Sequence, residues 1–210
     1  MWSGFISSVL LVTVAEFGDK TFFLPLILAM RHSRRMVFLG SWSALVLMSV
    51  LAVGIGQLLL SLLPLFWIRL LSSGLFVGFG LKMLWQAWQM SPQIMEIEEA
   101  DEALELVEAA ESHGAGVGGD WAVIWEAFSL TAMAEWGDKT QIATLSLAAA
   151  HPGLSVMAGA TLGHGIMTAL AVIGGRMIAS RVSERAVLWV GGILFLVFAV
   201  LTGWELGLDP

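Results

Sequence analysis

Cysteine is absent from the sequence, so neither a disulfide nor a thiolate metal site can form. Charge is scarce as well. Asp, Glu, Lys and Arg make up 13% of the 210 residues, about half the share of a soluble domain. Basic residues are the fewest, ten against seventeen acidic ones, and the net charge is −7. That excludes a nucleic-acid partner, which needs clustered Lys and Arg. The opening "MWSGFISSVL" has no basic leader and no small-residue cleavage site, and it reads as a mature first helix. What remains is apolar: 58% of residues are hydrophobic and the mean hydropathy is +0.84. The partner such a surface calls for is a lipid bilayer.

Crossing a bilayer takes roughly 20 mostly apolar residues as a helix. Six segments meet this, at about 3–30, 36–63, 67–89, 121–149, 153–179 and 185–206. They are too long for barrel strands, so the expected fold is an all-α integral membrane protein with six transmembrane helices. Trp2, Trp67, Trp85, Trp88, Trp121, Trp125 and Trp204 lie near the expected interfaces, where indoles anchor. Pro64, Pro92 and Pro152 fall in connections.

Arg31, Arg34 and Arg35 follow the first span, and Arg176, Arg181 and Arg185 surround the fifth-to-sixth connection. The positive-inside rule puts both groups in the cytoplasm. Both termini are then outside and the 91–120 connection is cytoplasmic, with Lys82 able to snorkel toward that side. Residues 96–111, "EIEEADEALELVEAAE", form the one strongly acidic stretch. Ile97, Ala100, Leu104 and Val107 can make a narrow apolar stripe on a short, solvated helix, and "SHGAGVGGD" follows as a flexible linker. A cation-attracting antenna is the sharper reading of the same charges.

The chain repeats itself at an offset of 119 (135 − 16). Ala15-Glu16 and Gly18-Asp19-Lys20-Thr21 match Ala134-Glu135 and Gly137-Asp138-Lys139-Thr140 without a gap. Gly40 matches Gly159, Met48 matches Met167, Leu51-Ala52-Val53 matches Leu170-Ala171-Val172, and Trp85 matches Trp204. This predicts two three-helix repeats, 1–90 and 121–210, joined by the acidic connection. Because three is odd, the second copy enters the membrane from the opposite side. Inverted repeats of this kind carry their site near the midplane, at the repeat interface. Glu16, Asp19, Glu135 and Asp138 all fall near the middle of their spans.

On an unbroken helix, with about 100° per residue, Asp19 falls near −60° from Glu16 and Lys20 near +40°. Both carboxylates then share a face, while Gly18 lies on the back, where a neighbouring helix can press close. Thr21 falls off the acidic face. Either its hydroxyl bonds a backbone carbonyl or Gly18 marks a break. Glu16–Lys20 and Glu135–Lys139 have the spacing of intrahelical ion pairs, but that would leave Asp19 and Asp138 without partners. Buried carboxylates in hydrocarbon point to function. Two carboxylates and one ammonium per motif give −2 for a facing pair, which one divalent cation neutralises. Protons compete for the same oxygens, which is the physical basis of antiport. Oxygen donors suit Mn²⁺, Ca²⁺ and Mg²⁺. Met48 and Met167 would favour Mn²⁺ if they faced the site; packing is their plainer role. Thr13, Thr131 and Gln141 are further oxygen donors in reach. His164, in "GATLGHGIM", is either a structural residue or a proton relay. Around it, Gly159 and Gly163, with Gly40 and Ala44 in the first half, allow close helix packing.

The paired Glu-x-Gly-Asp-Lys-Thr motifs resemble the signature of uncharacterised protein family 0016, the transmembrane protein 165 family of cation/proton antiporters. The resemblance covers nearly the whole chain. It implies exchange of Mn²⁺, in some members Ca²⁺, for protons, with Glu16, Asp19, Glu135 and Asp138 as the functional acids. Thr21, Thr140, Gln141, Lys20, Lys139, Met48, Met167 and His164 are the candidates for further coordination or coupling. The compact form resembles bacterial members, which act in manganese export, and so implies the bacterial inner membrane. No prosthetic group is expected, only transported Mn²⁺ or Ca²⁺ and H⁺. A homo-oligomer is compatible with the sequence but nothing in it asks for one. Two other transport readings share these residues: export of a basic amino acid and a passive divalent-cation channel. A membrane aspartyl protease of the Gly-x-Gly-Asp type needs glycine where Glu16 stands, so the chain does not read as an enzyme.

Overall fold

A computed structural model describes residues 2–89, 98–112, 119–179 and 184–206. Helices are the only regular structure among the described residues: α1 Trp2–Glu16, α2 Lys20–Arg31, α3 Arg34–Leu62, α4 Leu65–Gln89, α5 Glu98–Ser112, α6 Asp120–Glu135, α7 Lys139–Ala150, α8 Gly153–Ala179 and α9 Glu184–Leu206. Four of them, α3, α4, α8 and α9, are long and apolar enough to cross a membrane. They expose Leu58, Leu62, Phe66, Leu71, Ile173 and Val200. Apolar surface of this extent suits lipid and not water. All seven proposed interface tryptophans are exposed.

Of the two readings left open at Gly18, the structure has the break, and the expected first and fourth spans are both interrupted. Each is two shorter helices, interrupted at Gly18 and Gly137. The 15 residues of α1 reach about 22 Å and the 12 of α2 about 18 Å, at 1.5 Å per residue. Neither alone covers a hydrocarbon core of about 30 Å.

The half-helices are laid end to end along the long helix of the other half. Gly40 of α3 packs on Ile124 and Ala127 of α6, Ser41 accepts a hydrogen bond from Thr131 (3.1 Å), and Gly56 packs on Leu145 and Ala148 of α7. In the same way Gly159 of α8 packs on Phe5 and Ser8 of α1, and Gly163 on Val12. Phe5 and Ser8 stand 119 positions before Ile124 and Ala127, as Gly40 stands before Gly159. A side chain at Gly40 or Gly159 would strike the backbone carbonyl of Ile124 or Phe5. The Trp42 indole N–H donates to the Thr161 carbonyl at 3.1 Å, a contact between positions that are themselves 119 apart. α4 and α9 are antiparallel, with Gly80 against Gly192 and the Ser73 hydroxyl on the Ala199 carbonyl at 3.0 Å.

The acidic segment forms α5, and it is not merely solvated. Ala103 and Val107 are fully buried against Phe22, Phe23, Val37 and Val123, with Ala100, Leu104 and Ala110 beside them. The stripe expected at Ala100, Leu104 and Val107 is therefore a docking face on α2 and α6. Ile97, Pro92, most of the "SHGAGVGGD" linker and the side chains of Arg176 and Arg181 lie outside the described residues.

Candidate functional site

The two motifs build matching breaks. Glu16 ends α1, and the chain turns through Gly18 at φ +77°. Asp19 then caps α2: its side chain accepts from the Lys20 N–H at 3.0 Å. In the other half Glu135 ends α6, Gly137 has φ +78°, and Asp138 caps α7 by accepting from the Thr140 N–H at 3.2 Å. Aspartate at an N-cap satisfies one of the amides left open at a helix start. The first-turn geometry assumed for an unbroken helix is thereby corrected. Gly18 is not a packing notch, since a Cβ there would meet nothing within 4 Å. It is glycine because of its left-handed φ.

The breaks bring Glu16, Glu135 and His164 together. One carboxylate oxygen from each glutamate and one imidazole nitrogen all lie within 4.8 Å of one another. His164 Nδ1 is 3.5 Å from Glu16 Oε1. All three side chains are essentially inaccessible. The hydroxyl of Thr21 donates to Glu16 Oε2 at 2.5 Å, and that of Thr140 donates to Glu135 Oε1. The other oxygens, Glu16 Oε1 and Glu135 Oε2, are buried without a hydrogen-bond partner, as is His164 Nδ1. Unpaired buried carboxylate oxygens are costly, and a buried cluster of two glutamates and a histidine that each keep an unpaired atom suits a cation. The C-terminal, electronegative ends of α1 and α6 lie at the same place and favour positive charge.

The second acids are placed differently. Lys139 reaches across to Asp19, Nζ to Oδ2 at 2.6 Å. The intrahelical pairs Glu16–Lys20 and Glu135–Lys139 do not form, because Gly18 and Gly137 interrupt the i, i+4 geometry. Among the described residues Lys20 has no ion-pair partner, so the cross-pair has no counterpart at Asp138. Asp19, Asp138, Lys20 and Lys139 instead line a cavity of about 400 Å³, together with Lys82, Gln86 and Glu102. Lys82, expected only to snorkel, thus faces the same water-accessible space.

The remaining candidates divide. Met48 accepts from the Gln141 amide, 3.5 Å to Sδ, and Gln141 Oε1 in turn accepts from the Gly137 N–H at 2.7 Å. Gln141 therefore braces the break. Met167 is buried among Phe22, Ala171 and Val172, a packing residue. The Thr131 hydroxyl is spent on Ser41, whereas Thr13 Oγ1 is buried without a partner. Sequence reasoning missed Glu102, which reaches the cavity from α5, and the pairing of Lys139 with the other half's Asp19. Only the acidity of α5 hinted at the first.

Comparison with known proteins identifies a family. The family described as divalent cation/proton antiporter GDT1 matches residues 4–91 and 123–209, two stretches that begin 119 positions apart. GDT1-like protein sll0615 of Synechocystis sp. (strain ATCC 27184 / PCC 6803 / Kazusa) is 43% identical over 204 residues, 97% of this chain and 98% of the relative. GDT1-like protein 3 of Oryza sativa subsp. indica is 40% identical, over 95% of this chain and 73% of its own length. Protein PAM71-homolog, chloroplastic, of Arabidopsis thaliana is 40% identical, over 95% of this chain and 59% of its own. No solved structure matches the chain. A multi-pass helical chain with these matches along nearly its whole length belongs to the GDT1 family of divalent cation/proton antiporters.

Proposed function

We propose that the protein exports Mn²⁺ from the cytoplasm in exchange for protons, binding the ion between Glu16, Glu135 and His164. The observation that carries this reading is the buried cluster of one glutamate from each half with His164, in which each of the three side chains keeps an atom without a hydrogen-bond partner. Two carboxylates match a divalent charge. The imidazole nitrogen favours Mn²⁺ over Ca²⁺ and Mg²⁺, which prefer oxygen alone. With Met167 in the core and Met48 held by Gln141, this preference rests on His164 and not on a thioether. Family membership favours cation/proton exchange over export of a basic amino acid or passive conduction.

In this reading α1 with α2, and α6 with α7, complete the two broken spans, so that six crossings form two inverted three-helix repeats. The end-to-end alignment of half-helices on α3 and α8 and the antiparallel α4 and α9 support it. The arginine pattern favours both termini outside a bacterial inner membrane and residues 91–120 inside. The cavity walled by Asp19, Asp138 and Glu102 then opens toward the cytoplasm, the side from which Mn²⁺ is loaded. Asp19 and Asp138 act as the approach, with Lys139 holding Asp19 until a cation or proton displaces it. Protons arriving from outside neutralise the carboxylates and release the metal.

Proteoliposomes with an imposed pH gradient test this. Mn²⁺ flux coupled to proton movement is expected, and Glu16→Gln or Glu135→Gln should abolish it. Undiminished coupled flux in both variants would overturn the assignment.

A further inference from the structure

A second convergence of donors lies away from the breaks. His32 is the C-cap of α2, Glu126 lies in α6, and Glu111 lies in α5. His32 Nε2 is 3.6 Å from Glu126 Oε2 and 3.6 Å from Glu111 Oε1. One donor atom from each of the three lies within 4.8 Å of the others. Glu126 is only 4% exposed, and both its oxygens are buried with no hydrogen-bond partner, as is His32 Nε2. These contacts are too long for good hydrogen bonds. They lie just outside the roughly 3.0–3.5 Å that separates donors around a cation when metal–ligand bonds are about 2.1 Å, so small side-chain shifts bring them onto an ion.

We propose that His32, Glu111 and Glu126 form a second divalent-cation site, selective for a transition-metal ion such as Mn²⁺ over Ca²⁺ or Mg²⁺. The nitrogen donor sets the preference. The charges facing it are Arg31, which pairs with Glu111 Oε2 and lies 3.6 Å from Glu108, and the three glutamates. With His32 neutral, three carboxylates and one guanidinium leave −2, the charge of one divalent ion. The site is not an echo of the transport motifs. Nine residues separate Glu126 from Glu135, about 13 Å along α6. The positions matching His32 and Glu126 in the other half are His151 and Ser7, and α5 has no counterpart. A metal here ties α5 to α2 and α6. Since α5 also places Glu102 in the cavity wall, loading this site fixes that wall.

The site stands independently of the transport reading. Mn²⁺ binding to the full chain in detergent, counted by electron paramagnetic resonance, tests it. The Glu16→Gln/Glu135→Gln variant should keep one bound Mn²⁺ with a nitrogen coupling from imidazole. Adding Glu126→Gln or His32→Gln should weaken that binding at least about tenfold, the usual scale for a lost ligand or its support. The proposal is overturned if Glu16→Gln/Glu135→Gln removes all bound Mn²⁺ in a monodisperse sample, or if the retained ion shows no nitrogen coupling. Should the combined variants fail to fold, Glu126→Gln in the otherwise unaltered chain decides: loss of one of two bound ions supports the site, and unchanged stoichiometry refutes it. If instead a bound ion is lost with Glu126→Gln but not with Glu16→Gln/Glu135→Gln, this site holds and the transport site fails.

Discussion

Replacing Gly18 separates two reasons for a glycine in the middle of a span. A packing glycine rejects side chains in order of size. A glycine chosen for its backbone rejects them by their tolerance of positive φ. Here φ is +77° and a Cβ would touch nothing within 4 Å. Alanine therefore costs only the left-handed penalty, about 1–2 kcal/mol. That is a five- to thirty-fold loss in the population of the broken conformation. Asparagine tolerates the left-handed region, so Gly18→Asn should lose less than Gly18→Ala despite its bulk. Gly18→Val, β-branched, should lose most. The same order should hold at Gly137, with φ +78°. Thermal unfolding of the purified protein in detergent and Mn²⁺ affinity are the readouts, and both should rank Gly, Asn, Ala, Val. If Asn proves worse than Ala at either position, size is the constraint and the argument from backbone geometry is wrong.

Thr21→Val and Thr140→Val remove the hydroxyls that orient Glu16 and Glu135, and each should weaken Mn²⁺ binding about ten- to hundredfold, while Thr→Ser at either position restores it by titration. Lys139→Met strands Asp19, whereas Lys20 has no ion-pair partner among the described residues. The buried-pair cost, reduced because Lys139 keeps 22% of its side-chain surface exposed, predicts a loss on the order of 2–3 kcal/mol. Lys20→Met should lose less than a third of that in the same denaturation assay. Because Mn²⁺ binds ionised carboxylates, its affinity should fall as pH falls, and each bound ion should release protons; a calorimetric titration in buffers of different ionisation enthalpy would show no release if the reasoning fails.

The apolar runs and the repeat were legible because burial in lipid demands long hydrophobic segments and because ungapped polar identities are rare. The break was only half legible, as one of two readings at Gly18. Hydrophobic periodicity reports which way side chains point, not a single positive φ, so Gly18 fitted a helix back as well as a turn. The cross-pair of Lys139 with Asp19 was hidden for a related reason. The i, i+4 spacing within each motif offered a local partner that the break removes. His164 could be placed in mid-span but not opposite Glu16, since helix phase between separate spans is not encoded locally. Glu126 carried the very signal used for Glu16, a carboxylate in an oily run, "WAVIWEAFSLTA". No second copy marks it, since the matching position is Ser7.

The two halves share a motif but not its support, and the difference decides which break yields first. At Gly137, Gln141 accepts from the backbone N–H and donates to Met48. Moving that break loses two hydrogen bonds, each worth roughly 0.5–1.5 kcal/mol. At Gly18 the equivalent residue is Phe22, which can make neither bond and instead stacks on Phe17 at 5.4 Å. One such contact is worth about 0.5–1.5 kcal/mol and tolerates sliding. The counterpart of Phe17 is Trp136, which is 71% exposed. Bending at Phe17–Asp19 therefore costs less than bending at Trp136–Asp138. Near-identical sequences at the two breaks thus yield one softer and one stiffer joint.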